Sequence, residues 1–73
     1  MPKFRLIGYY DDNGQVYDGT WEGDDEWGAV QNCKSTIYPV ERDNLCLVAI
    51  LDEAGRNVYE GDKASFITDW EDD

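Results

Sequence analysis

Carboxylates are the side chains with possible catalytic roles that this sequence contains in the largest number. It has 17 Asp and Glu residues against six Lys and Arg, no His, and a formal net charge of −11 at pH 7. Without His, general acid–base and nucleophilic mechanisms lose their commonest residue, and no evident base lies near Ser35, Ser65, Cys33 or Cys46 in the sequence. Paired carboxylates can cleave glycosides, but that chemistry needs a deep cleft, for which 73 residues offer little material. The sequence therefore predicts a protein that is not an enzyme.

Neither a metal site nor a cofactor is expected. Residues 11–16 look like part of a calcium-binding EF-hand loop, because acidic and amide residues precede Gly14 and Val16. Placing Gly14 at the sixth loop position puts Tyr9 first and Thr20 twelfth, where the ion needs carboxylates. The two cysteines have no His or CxxC partner, so we expect reduced core residues and no zinc ligands.

The acidic residues form two clusters in the sequence. We predict that they bind a partner, through residues Asp18, Glu22, Asp24, Asp25 and Glu26 in the first cluster and Asp69, Glu71 and Asp72 in the second. Nucleic acids and anionic membranes are themselves negative and would be repelled, so a basic protein surface is the favoured partner. The same acidity is also compatible with a domain that is acidic only for solubility, or with a high-salt cytoplasm.

One apolar segment is expected to organise the elements that carry these acids. Leu45–Leu51 is an unbroken run of seven apolar residues, followed by the turn-like sequence 52–55. Its length and β-branched residues favour a strand over a helix, and its continuity predicts a central strand covered on both faces.

A first hairpin is predicted from residues 3–11 and 15–22, joined at Asn13-Gly14 by a two-residue type I′ turn. This turn fixes which residues face each other across the strands: Tyr10 and Tyr17, Gly8 and Gly19, Leu6 and Trp21. Alternation then gives one apolar face, including Phe4, and turns Asp18 and Glu22 outward.

A helix over residues 24–35 should follow, with Asp24 as its N-cap. Its apolar stripe is formed by Trp27, Val30, Cys33 and Ile37, and Trp27 is assigned to the core. Pro39 predicts the end of helical structure, with a loop over residues 38–44.

A second hairpin is expected after the central strand, because residues 47–61 resemble residues 6–19 with one residue inserted. True duplication and convergence both explain that likeness. The insertion predicts a longer loop with Gly55 in the left-handed conformation, residues 64–70 could add a further strand, and residues 70–73 form a frayed acidic tail. The result is a single α+β domain, residues 1–73, with two β-hairpins flanking one helix (ββαββ) and an antiparallel sheet that carries the helix on one face.

In its size, charge, aromatic-rich predicted sheet and lack of catalytic residues, the chain resembles small acidic proteins that phages and mobile elements use against host defences, including DNA mimics and anti-CRISPR inhibitors. The resemblance implies a non-catalytic inhibitor that blocks the groove of a basic nucleic-acid-binding protein. An antitoxin or immunity-like protein that neutralises a basic toxin is the alternative, and an acidic housekeeping domain is another. No run approaches the roughly 18 apolar residues of a membrane helix, and the start lacks an apolar signal region. We expect a cytoplasmic monomer or homodimer, in the host cell if it is phage-encoded.

Overall fold

The computed structural model describes residues 1–59 and 65–70, and these form a four-stranded antiparallel sheet with helices. The strands are β1 (Lys3–Tyr10), β2 (Val16–Glu22), β3 (Leu45–Leu51) and β4 (Ser65–Phe66), in the spatial order β2-β1-β3-β4. Between β2 and β3 lie helix α1 (Glu26–Thr36) and helix α2 (Pro39–Asn44), and a 3-10 turn (Ile67–Asp69) follows β4. The predicted α+β class, with an antiparallel sheet and a packed helix, is confirmed, whereas the simple ββαββ order is interrupted by the second helix.

Strand β3 has the predicted bounds and lies in the interior of the sheet, but its two faces are not equally covered. Leu45, Leu47 and Ile50 are fully buried in the core with α1. On the opposite face Cys46 is buried, whereas Val48 is 42% exposed. The prediction of complete burial on both faces is therefore wrong beyond Cys46.

A β-bulge explains how β3 directs so many residues into the core. Gly8 pairs with Leu47 and Ile7 pairs with Ala49, so Val48 is an extra residue without a partner in β1. This insertion resets the alternation and lets Ile50 face inward with Leu47. Gly8 permits the close approach, since a Cβ atom there would collide with the backbone carbonyl of Cys46.

The first hairpin has a different register from the predicted one. Gly8 faces Tyr17, Leu6 faces Gly19, and Phe4 faces Trp21, a shift of two residues. A type I′ turn needs positive φ at two residues, but Gly14 (φ 72°) is the one loop residue that has it, and residues 11–14 form the loop. Because the shift is even, the predicted apolar and outward faces are retained.

On the inner face of β2, two aromatic residues meet above a glycine. Trp21 Nε1 donates a hydrogen bond to Tyr17 Oη at 2.7 Å, and a Cβ on Gly19 would collide with that hydroxyl. Tyr17 Oη also lies 3.5 Å from Cys33 Sγ in α1. Burial raises the pKa of both Tyr17 and Cys33 above their ordinary values.

Helix α1 begins two residues later than predicted. Its N-cap is Asp25, not Asp24, and the Asp25 carboxylate accepts a hydrogen bond from the Gly28 N–H at 2.8 Å. Val30 and Cys33 are buried as predicted, together with Ala29. Trp27 is only half-buried and lies outside the core cluster, so its assignment to the core is wrong.

Residues 39–44 are helical, and the predicted loop is wrong. Pro39 occupies the first turn of α2, where a missing N–H costs nothing and the fixed φ suits a helix. The Arg42 N–H donates to the Tyr38 carbonyl at 2.9 Å, which is the expected helical pairing.

The second hairpin is much shorter than predicted. Gly55 adopts positive φ (82°) as expected, and the Gly55 N–H donates to the Asp52 carbonyl at 2.9 Å. The return segment makes one isolated bridge, Leu51 with Asn57. Of the predicted strand 64–70, residues 65–66 pair with β3 and residues 67–69 form the 3-10 turn, while residues 60–64 and the acidic tail 71–73 lie outside the described residues. Across the described chain, neither helix has the length and apolar character needed to cross a membrane.

Replacing Gly8 by Ala should destabilise the protein by about 1–3 kcal/mol, because the new methyl group would overlap the backbone of the bulge. Gly28→Ala is the matched control, since its nearest non-local atom lies 3.5 Å from the new Cβ. That change should stabilise α1 by about 0.5–1 kcal/mol. Urea denaturation measures both, and a Gly8→Ala protein as stable as the wild type would contradict the bulge geometry.

Replacing Tyr17 by Phe should cost about 1–2 kcal/mol at neutral pH, because Trp21 Nε1 loses its acceptor. Since the folded-state pKa of Tyr17 is raised, its contribution to stability is complete below the unfolded pKa, about 10, and is lost as the pH rises through the folded value. The variant should therefore show a smaller loss of stability above pH 10.

The control for that variant is Tyr38→Phe, because Tyr38 is 75% exposed. It should change neither the neutral stability nor its alkaline decline. Thermal melts from pH 7 to pH 11 compare the three proteins, and identical alkaline profiles for wild type and Tyr17→Phe would contradict this account.

Candidate protein-binding surface

Four carboxylates lie where β2 ends and α1 begins. They are Glu22, Asp24, Asp25 and Glu26, and we refer to them as the acidic end. The first three are exposed and Glu26 is half-buried. The sequence predicted these residues as binding residues, and the fold brings the four together because only Gly23 separates the strand from the segment that caps the helix.

Short-range contacts hold the acidic end in a fixed arrangement. The Gly23 N–H donates to the Pro2 carbonyl at 3.1 Å, which extends the β1–β2 pairing past Glu22. A Cβ atom on Gly23 would collide with the backbone of Ala29, so a larger residue would push the strand away from the helix. Asn32 Nδ2 in α1 donates to the Glu22 carbonyl, which fastens the helix to the end of β2.

The helix itself favours negative charge at this position. Asp25 satisfies one of the free N–H groups of the first turn, and Glu26 is the first residue of α1. The N-terminus of a helix carries a partial positive charge that stabilises nearby carboxylates. Two acids of the acidic end therefore support the fold while also presenting charge to solvent.

Ion pairs lie elsewhere on the molecule. The three arginines pair with aspartates that do not belong to the acidic end: Arg5 with Asp18, Arg42 with Asp43, and Arg56 with Asp52. Among residues 1–59 and 65–70, no Lys or Arg side chain forms an ion pair with the acidic end. Lys3 lies opposite Glu22 across the β1–β2 ladder but does not form an ion pair with it, so the four carboxylates of the acidic end are unpaired among these residues.

Asp18 differs from the rest of its predicted cluster. It lies on the outward face of β2, as expected, but both carboxylate oxygens accept hydrogen bonds from Arg5, with Nε at 2.8 Å from Oδ1. These hydrogen bonds hold the pKa of Asp18 below its ordinary value. Asp18 is therefore charged but already has a cationic partner.

The second predicted cluster is only partly described. Asp69 is exposed in the 3-10 turn and precedes Trp70. Glu71 and Asp72 lie outside the described residues, so their place relative to the acidic end stays a prediction.

Beside the acidic end lies an aromatic cleft that the sequence did not reveal. Glu26, Trp27, Val58, Tyr59 and Trp70 line it. The Trp27 and Trp70 ring centroids are 4.9 Å apart, and those of Tyr59 and Trp70 are 5.8 Å apart. Partly exposed Trp and Tyr are enriched at protein interfaces. The sequence shows that the chain has three Trp residues, but it does not indicate that Trp27 and Trp70, which are 43 positions apart, are in contact.

The described residues contain no group of three or more His, Cys, Asp or Glu side chains arranged to hold a metal ion.

No protein-family model matches this chain, no curated protein is similar to it in sequence, and no solved structure is similar to it at a significant level.

Proposed function

We propose that this protein is a non-catalytic inhibitor that binds the basic, nucleic-acid-binding surface of another protein, as anti-CRISPR and DNA-mimic proteins bind host defence proteins. The acidic end is the part of the molecule that makes the contact. The observation that carries the proposal is its four carboxylates, held by a strand and a helix and not in an ion pair with any described Lys or Arg. On this proposal the protein acts in the cytoplasm of the host cell, where its target binds nucleic acid.

Electrostatics supports this partner over others. A surface that binds phosphates is built from Lys and Arg, and it attracts a protein of net charge −11. The molecule is 31 × 22 × 18 Å, and duplex DNA of the same length carries about 18 phosphate charges at one per 1.7 Å. A protein of this size is therefore able to cover a groove that binds about nine base pairs of nucleic acid. The charge on any single face of the protein is lower than the charge of that DNA.

Rigidity also supports the proposal. The acidic end is placed by backbone pairing at Gly23, by the Asn32 contact and by the cap of α1. Charges fixed before binding lose less conformational entropy when they meet a partner than charges on flexible segments. The aromatic cleft next to Glu26 offers apolar area for the same interface.

Neutralising three of the four carboxylates of the acidic end should slow association with the basic partner by tenfold or more. The variant is Asp24→Asn, Asp25→Asn and Glu26→Gln, in which Asn keeps an N-cap acceptor at position 25. Charge steering acts on the association rate more than on dissociation, so the dissociation rate should change much less. Surface plasmon resonance with the partner captured from host extract measures both rates.

The matched control removes the same number of charges at the opposite end of the molecule, by Asp11→Asn and Asp12→Asn in the loop of the β1–β2 hairpin and Glu41→Gln in α2 beside that loop. Its association rate should stay within about threefold of the wild type, since the seven-residue strand β2, at about 3.3 Å per residue, separates these positions from the acidic end by more than one Debye length, about 10 Å. Equal slowing of both variants would assign the effect to net charge and contradict a defined surface.

A competition experiment tests inhibition itself. At saturating protein, the captured partner should release a labelled DNA or RNA probe with one-to-one stoichiometry. A partner that keeps its nucleic acid would contradict the proposal. A basic toxin that binds no nucleic acid would replace the proposal with the antitoxin or immunity function.

A further inference from the structure

Strand β2 is an edge of the sheet, and its register shows which backbone groups face away from β1. The Tyr10 N–H donates to the Gln15 carbonyl at 2.9 Å, and the Gly23 N–H donates to the Pro2 carbonyl at 3.1 Å. These two bonds bracket an unbroken antiparallel pairing with no register shift. In such a ladder, alternate residues direct both N–H and C=O to the neighbouring strand.

The odd-numbered residues of β2 therefore pair with β1, and the even-numbered residues face the open edge. Four residues have backbone N–H and C=O groups that point to the open edge: Val16, Asp18, Thr20 and Glu22. The contact from Asn32 agrees with this assignment, because a side chain of α1 reaches the Glu22 carbonyl on the side away from β1. Val16, Asp18 and Thr20 receive no comparable backbone contact from the rest of the described chain.

This edge carries the charged residues Asp18 and Glu22, but it lacks the other features that usually prevent strand addition. Strand β2 is seven residues long and contains no Pro and no Lys, and its pairing with β1 has no bulge. All four residues facing the edge are exposed. The open backbone groups are thus accessible to another extended chain.

Charge decides which chain fits. Asp18 and Glu22 project from the same residues whose backbone is open, and the acidic end follows directly. A second copy of this chain would bring two molecules of net charge −11 together along the edge, and their mutual repulsion opposes this pairing. A strand with Lys or Arg at alternate positions would instead place one cation beside Glu22 and another beside Asp18, which already pairs with Arg5.

We propose that the open edge of β2 adds an extended, basic segment of the partner protein as a further strand of the sheet. Main-chain hydrogen bonds to residues 16, 18 and 20 and to the Glu22 N–H would hold that segment, since Asn32 already occupies the Glu22 carbonyl, and its alternate Lys or Arg side chains would lie next to Asp18 and Glu22. The basic character of the segment rests on the proposed function, whereas the open edge follows from the sheet topology.

The direct test replaces Thr20 by Pro. Its N–H points away from β1, so the β1–β2 ladder is retained, and proline is tolerated on an edge strand in that orientation. Thr20→Val is the matched control, because it keeps the N–H and a similar shape. The probe is a synthetic eight-residue peptide of alternating Lys and Thr, with a Glu-Thr peptide of equal length for comparison.

We expect the Lys-Thr peptide to bind the wild type and shift the amide resonances of residues 16, 18, 20 and 22 most. Its dissociation constant, measured by calorimetry, should rise at least tenfold for Thr20→Pro and stay within twofold for Thr20→Val. The Glu-Thr peptide should not bind. Unchanged binding to a folded Thr20→Pro protein would overturn strand addition, and equal binding of both peptides would overturn the charge selectivity.

A second measurement leaves the protein unchanged. N-methylation of alternate peptide residues removes N–H groups on one edge of the added strand. Methylation of one alternate set should abolish binding and methylation of the other set should be tolerated, whereas equal effects of both would contradict strand addition. Sedimentation that shows a wild-type dimer and a Thr20→Pro monomer would make a second copy the occupant and overturn the proposal.

These outcomes are separable from those of the proposed function. If Thr20→Pro leaves binding of the captured partner unchanged while neutralisation of the acidic end slows it, strand addition fails and the inhibitor function stands. If the Lys-Thr peptide binds the edge but no nucleic-acid-binding partner is found, strand addition stands and the inhibitor function fails.

Discussion

The close contact of β1 with β3 at Gly8 is the constraint on which the rest of the structure depends. It accommodates the extra residue Val48, and the resulting bulge turns both Leu47 and Ile50 toward α1. A chain of 73 residues buries only about 60% of the surface of its unfolded form, so each inward residue of the central strand matters. Without the bulge, regular alternation would direct Leu47 and Ile50 to opposite faces.

The same arrangement leaves the acidic end at the edge of the sheet. Strand β1 is paired on both sides, by β2 and by β3, so β2 has no second neighbour among the described strands. Helix α1 returns beneath β2 and is held at Glu22 by Asn32. An open backbone edge and four carboxylates consequently adjoin each other. The two proposals therefore concern one continuous region, in which charge would attract the partner and backbone hydrogen bonds would orient it.

The sequence predicted the elements with strong local patterns, and it missed both local features with weak signals, such as α2 and the first turn, and contacts between distant residues. The run Leu45–Leu51 gave β3 its correct bounds, and alternation assigned the faces of β1 and β2 correctly. The predicted hairpin register was wrong because Asn13 does not adopt a positive φ. Its side chain instead accepts a hydrogen bond from the Gln15 N–H. Because of that error, the Arg5–Asp18 ion pair was not predicted. The contact between Trp27 and Trp70 has no local signal in the sequence.

Amide hydrogen exchange of the free protein tests the central claim, an open β2 edge beside the acidic end, most directly. Our account predicts an alternating pattern along β2, with slow exchange at Tyr17, Gly19 and Trp21, which pair with β1. Fast exchange is expected at Val16, Asp18, Thr20 and Glu22, whose N–H groups face the open edge. Uniform protection of all seven residues would show that the edge is already covered and would contradict the account.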